Sequence, residues 1–126
     1  MASEPSFAIP AHPERHYPYE GGLEYEGETR FHLRPRPPQG EDSLDSLLQR
    51  VLSAGPYRYG DFFDLPMPLY LVRDDETGDV FRVSVRNGQI RLHVLPETEP
   101  AGLRALYDRL ATAWDVNWSV RCETTA

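Results

Sequence analysis

Two alternating runs joined by Asn-Gly, VFRVSVRNGQIRLHVL over residues 80–95, constrain the fold more than any other stretch of this chain. Asn-Gly suits a two-residue hairpin turn in which both central residues take positive φ, and such a turn fixes the register of the strands it joins. Arg86 therefore faces Gln89, Val85 faces Ile90, Val83 faces Leu92 and Phe81 faces Val94, while Ser84 faces Arg91 and Arg82 faces His93. Every apolar residue meets an apolar one. A slip by one residue would carry apolar side chains onto the polar face, so the pattern selects this pairing.

Periodicity places the other elements. Residues 42–54, DSLDSLLQRVLSA, set Leu44, Leu47, Leu48, Val51 and Leu52 at helical spacing, with Asp42 or Ser43 as cap and Gly55-Pro56 as stop. Residues 100–114 repeat the arrangement with Leu103, Leu106, Tyr107, Leu110 and Trp114; Pro100 suits the first turn, with Thr98 or Glu99 as cap. Strands are expected at 29–34 (TRFHLR), 68–73 (PLYLVR) and 116–122 (VNWSVRC). The middle one is apolar on both faces, so Leu69 with Leu71 and Tyr70 with Val72 both fit as inward pairs. The stretch 73–79, RDDETGD, lacks the ligand spacing of a calcium loop and reads as a polar hairpin loop.

The order strand, helix, strand, strand, strand, helix, strand predicts an α+β fold. It is a two-layer, five-stranded mixed sheet with both helices on one face, because a right-handed strand-helix-strand connection returns the chain parallel to the strand it left. A chain of 126 residues is the size of one domain. Residues 1–28 read as an extended N-terminal arm ahead of a compact domain over 29–126, and the excess among the 12 prolines sits mainly in the first 40 residues.

All 13 basic residues are arginine, in a chain of net charge -7. Strand alternation sends Phe31, Leu33, Phe81, Val83, Val85, Ile90, Leu92, Val94, Val116, Trp118 and Val120 under the helices. Arg30, His32, Arg34, Arg82, Arg86, Arg91, His93 and Arg121 then share the opposite, helix-free face. Clustered guanidinium groups create a local positive potential despite the negative total. The expectation is a small non-enzymatic interaction or regulatory module that binds an acidic protein segment or other anionic ligand. Arg82, Arg86, Arg91 and His93 are its primary residues, and Arg30, Arg34 and Arg121 its secondary ones. The plainer reading is that polar strand faces commonly carry long charged side chains that solvate them and discourage edge pairing. A third is that Glu20, Glu24, Glu26 and Glu28, interleaved with Tyr17, Tyr19, Leu23 and Tyr25, let the arm lie across the arginine face as a cover.

Residues 56–66, PYRYGDFFDLP, supply the alternative function: a small enzyme or ligand-binding protein whose pocket is lined by Tyr57, Tyr59, Asp61 and Asp64, at one end of the sheet. The plainer reading has the phenylalanines plugging the core and the aspartates capping or turning the chain. His12 and His16 stand four apart around Glu14, superficially like HExxH. Pro13 occupies the position of that motif's glutamate and Pro18 ends any helix there, so no metal site is expected, and no motif points to a cofactor.

The single cysteine, Cys122, cannot form an internal disulfide and falls on the Trp118 face as a small apolar group. The N-terminal MASEPSFAIP lacks the basic region and apolar run of a secretion signal, and no apolar segment approaches the ~18–20 residues of a bilayer span. A cytoplasmic setting without membrane contact is expected. The acidic balance works against nonspecific nucleic-acid binding. A homodimer through the bare sheet face would require acidic arms exchanged between subunits, because face-to-face arginines repel.

Overall fold

The structure, a computed structural model, describes residues 5–17, 20–22, 24–61 and 69–125. Its elements are β1 (Glu14–His16), β2 (Glu24–Glu26), β3 (Glu28–Arg36), α1 (Glu41–Ala54), β4 (Tyr57–Asp61), β5 (Leu69–Asp74), β6 (Val80–Arg86), β7 (Gln89–His93), α2 (Pro100–Ala113) and β8 (Asn117–Thr125). Strands β1 and β2 form a small two-stranded sheet, and the other six form one sheet in the order β4-β5-β6-β7-β3-β8. The fold is α+β.

The β6-β7 hairpin has the register its turn dictates, from Arg86 opposite Gln89 to Arg82 opposite His93. Asn87 and Gly88 sit at φ 54° and 70°, the left-handed region that Asn-Gly tolerates. The Asn87 N–H donates to Glu41 Oε1 at 2.8 Å, which ties the turn to the first turn of α1.

The sheet has six strands rather than five, because Tyr57–Asp61 pairs with β5 instead of forming a loop. Tyr57-Arg58-Tyr59 carries a strand alternation that the following Gly60 and Asp61, both poor strand formers, obscure. Nor is the sheet mixed: every hydrogen-bonded neighbour is antiparallel. Each helix does return the chain in the direction of the strand it left. However, β5, β6 and β7 lie between β3 and β4, and β3 lies between β7 and β8. The crossover argument governs direction; adjacency is decided by which partner edge is open.

Both helices cover one face of the sheet. Leu44, Leu47, Leu48 and Leu52 of α1 and Leu103, Leu106 and Leu110 of α2 share a single core with Phe31, Leu33, Val72, Phe81, Val83, Val85, Ile90 and Leu92. In β5 the inward pair is Tyr70 with Val72, leaving Leu71 40% exposed on the other face. Tyr70 tolerates this position because its hydroxyl donates to Asp45 Oδ1 on α1 at 2.6 Å, satisfying its polar tip. Phe7 enters the same core, with its ring 5.2 Å from Phe31 and 5.5 Å from Tyr107. Thr29 Oγ1 donates to the Ala11 carbonyl, and His12 Nε2 is hydrogen-bonded to the Thr98 carbonyl. The arm from Phe7 to His12 therefore packs on the helix side, while Pro13 and Glu28 border the arginine face.

The N-cap of α1 is Gly40 rather than Asp42 or Ser43, whereas that of α2 is Glu99, one of its two expected positions; neither residue makes a side-chain cap bond. For α2 the acceptor comes from elsewhere. Buried Asp79, in the β5-β6 turn, accepts from the Val80 and Glu99 N–H groups with Oδ1 and from the Gly102 N–H with Oδ2. Asp74 Oδ1 in the same turn accepts from the Glu76 and Thr77 N–H groups. The polar loop is thus built on two buried aspartates.

A Cβ on Gly102 would lie 2.3 Å from Asp79 Oδ2 and 2.5 Å from Asp79 Cβ. Glycine to alanine inside a helix ordinarily stabilises by about 1 kcal/mol. Here Gly102→Ala is expected to destabilise by about 1–3 kcal/mol through overpacking and loss of the cap, read as a lower urea midpoint.

Strand β8 also departs from expectation. Trp118 and Val120 are only half-buried and Cys122 is exposed, because β8 is the outer edge of the sheet. Trp118 finds its cover in Trp114, stacked with centroids 6.3 Å apart. No helix among the described residues is long and apolar enough to cross a membrane.

Candidate functional site: the helix-free sheet face

Antiparallel partners share a face with Cβ atoms about 5 Å apart, so the register alone assembles the polar side of the sheet. One row runs Arg82 (β6), His93 (β7), Arg30 (β3) and Glu123 (β8). The next runs Ser84, Arg91, His32 and Arg121 across the same strands. Arg86 opposite Gln89, and Arg34 opposite Ser119, complete a third. All eight cationic or imidazole side chains named from the sequence stand on this face.

Three arginines were missed there, the first being Arg36, which the extension of β3 beyond residue 34 brings opposite Asn117. Arg73 and Arg58 face each other across β5 and β4 and share Asp75, at 3.5 and 2.9 Å. The ambiguous facing of β5 hid Arg73, and the unrecognised strand hid Arg58.

The face is unevenly neutralised. Arg30 Nη2 meets Glu123 Oε1 at 2.8 Å, and Arg30 Nε lies 3.4 Å from Glu28 Oε1. Among the described residues, no carboxylate lies within 4 Å of Arg34, Arg82, Arg86, Arg91 or Arg121. The Nε atoms of Arg82 and Arg91 are buried and have no hydrogen-bond partner among the described residues. Each such charged donor costs at least about 1–3 kcal/mol while unmatched. Burial lowers the pKa of Arg91, as do Arg30, Arg86 and Arg121 around it.

A groove of about 460 Å3 opens here, with Arg30, Arg82, Arg86, Arg91 and Glu28 as its charged lining, His93 among them, and Leu69, Val94, Leu95 and Pro13 as its apolar walls. His93 stands in the middle. Burial, then Arg30, Arg91, Arg82 and His32, depress its pKa to about 4, so it is neutral at pH 7. Its Nε2 lies 2.7 Å from Ser84 Oγ, and Glu28 Oε1 is 3.9 Å from Nδ1. These are the residue types of a nucleophilic triad, but Ser84 is 2% exposed and an imidazole titrating near 4 is a weak base at neutral pH. The arrangement holds polar groups in place and does not activate them. His32, also buried, is held by Gln89 Oε1 at 2.9 Å from Nδ1.

Of the residues of the alternative pocket, the two tyrosines contact the helices. Tyr57 and Tyr59 align with Asp74 and Val72, on the helix side of β4. The Tyr57 hydroxyl accepts from Arg109 Nη1 of α2 at 2.7 Å, and burial raises its pKa. The Tyr59 hydroxyl lies 2.7 Å from Ser53 Oγ of α1. The two tyrosines tie the edge strand to the helices, while Asp64 lies outside the described residues. A depression of about 540 Å3 between α1 and α2 includes Arg50, Val51, Ala54, Ala105 and Arg109. Arg109 is already engaged there, by Tyr57 through Nη1 and by Glu76 through Nη2.

No protein-family model, curated protein or solved structure matches this chain.

Proposed function

We propose that the protein is a small interaction module whose helix-free sheet face binds an acidic protein segment. The observation that carries this reading is the surplus of unmatched guanidinium groups, above all the two buried Nε donors of Arg82 and Arg91 without acceptors among the described residues. Buried polar groups are ordinarily satisfied, and a fold that leaves charged donors unmatched in a groove gains most from a ligand that brings carboxylates.

Length favours a chain segment over a small ion. The unmatched arginines run from β6 to β8, three inter-strand spacings or about 14 Å. The walls formed by Leu69, Val94, Leu95 and Pro13 suit apolar residues interspersed among the acidic ones.

A fluorescently labelled oligoglutamate peptide, followed by anisotropy at two salt concentrations, tests the reading. Wild-type protein is expected to bind, and to bind less tightly at the higher salt. Arg82→Gln with Arg91→Gln is expected to weaken binding by at least about tenfold, the scale of losing charged hydrogen bonds in a desolvated contact. Arg50→Gln on the exposed side of α1 serves as the control and leaves affinity unchanged. Equal affinity in the folded double variant would refute the proposal.

A further inference from the structure

The two edges of the sheet differ in how well they are protected. Strand β4 is five residues long, contains Gly60 and is fastened to both helices through Tyr57 and Tyr59. Strand β8 is nine residues long, contains neither proline nor glycine, and keeps an unbroken ladder with β3 from Asn117 to Thr125. Its outer backbone groups form a regular row. Such an edge is a template for another strand unless proline, a bulge or an unfavourable charge pattern blunts it.

We propose that β8 pairs antiparallel with β8 of a second copy, about a two-fold axis at Cys122, joining two sheets edge to edge. The inference is independent of the acidic-segment reading.

Charge complementarity selects the partner and the register. In a two-fold antiparallel pair, residues facing each other lie on the same side of the sheet. Centring on Cys122 sets Arg121 of each copy opposite the partner's Glu123, and Val120 opposite Thr124. Centring one residue earlier sets Arg121 against itself, and centring on Val120 gives it only Ser119. The Cys122 register alone makes two opposite-charge pairs, and cross-strand pairs of this kind stabilise while like charges opposed destabilise. An isologous contact of this type closes on itself and removes the free edge.

The residues that β3 and the helices leave half covered gain neighbours in this arrangement. Val120 is half-buried and Cys122 exposed, and both lie on the helix side of the strand. The arginine faces of the two copies would then lie on one side of a continuous sheet, with Arg121 at the seam.

Light scattering during size-exclusion chromatography across the micromolar range is expected to give twice the chain mass. Arg121→Glu sets carboxylate against carboxylate across the seam, and Glu123→Arg sets guanidinium against guanidinium. Each alone is expected to weaken dimerisation by about tenfold or more. Mixed together, the two variants restore opposite-charge pairs, so the mixture is expected to recover a heterodimer that neither forms alone. A short bismaleimide is expected to link wild-type protein through Cys122, which gives a readout that needs no variant to fold.

Monomeric wild-type protein throughout that range would overturn the proposal. So would a dimer indifferent to both reversals, a mixture no better associated than its parts, or a dimer that the bismaleimide does not link.

Discussion

Asp79→Ala is expected to lower the stability of the fold by about 3 kcal/mol, read from urea unfolding. Three backbone donors lose their acceptor at once: the N–H groups of Val80, Glu99 and Gly102. The last two open α2, whose own N-cap residue makes no side-chain bond. The site is buried, so water replaces the lost carboxylate poorly, and the α2 N-terminus is released from the β5-β6 turn.

Asp79→Asn, which keeps one carbonyl acceptor, is expected to recover part of the loss. Burial raises the Asp79 pKa despite the three donors, with Glu99 adding to the shift. The carboxylate therefore contributes through geometry, by joining a turn to a distant helix. Its charge does not add stability. An Asp79→Ala variant as stable as wild type would show that α2 is held by its leucines alone.

The second large effect is acid lability at His93. A histidine free in the unfolded chain titrates near 6.5, and in the folded protein burial and the surrounding arginines hold His93 at about 4. Between those values the unfolded chain takes up a proton that the folded protein refuses. Stability therefore rises with pH across this window and falls on acidification. Integrated over the shift, the loss is about 3 kcal/mol by pH 4, most of it present by pH 5.

The groups facing His93 are Arg82, Arg91, Arg30, His32, Ser84 and Glu28, and only Glu28 carries a charge that would favour the imidazolium. His93→Gln is expected to remove this component of the pH dependence while leaving that of the other titrating groups. A wild-type stability flat between pH 7 and 5 would mean that the arginine field at His93 is weaker than the geometry implies. An acidic ligand in the groove offsets the same field, so it is also expected to flatten the acid slope.

How much of this was legible in the chain follows from the range of each interaction. The hairpin was fully legible because Asn87-Gly88 fixes a local register and the alternating residues on either side agree with it. From that register the gathering of Arg82, Arg91 and His93 followed at once, and extending it to Arg30 and Arg121 required only strand alternation. Strand β4 escaped because Gly60 and Asp61 dilute a short alternation whose stabilising partners, Arg109 and Ser53, lie on helices.

The role of Asp79 had no local signal at all. Its partners Glu99 and Gly102 are 20 and 23 residues further along the chain. The exposure of Cys122 was likewise hidden, since an apolar alternation in β8 looks the same whether helices cover it or not. The pairing of strands across a sheet edge is decided in three dimensions, and the alternating pattern of either strand is silent about it.

Everything proposed for the groove depends on Arg82 and Arg91 holding buried guanidinium donors that a ligand's carboxylates can satisfy. Nitrogen-15 spectra of the arginine Nε–H groups, recorded while oligoglutamate is titrated in, test this most directly. The Arg82 and Arg91 signals are expected to move together and saturate at a common affinity, while those of Arg50 and Arg109 on the helix layer stay in place. Stationary Arg82 and Arg91 signals, or equal shifts at all four positions, would contradict the account.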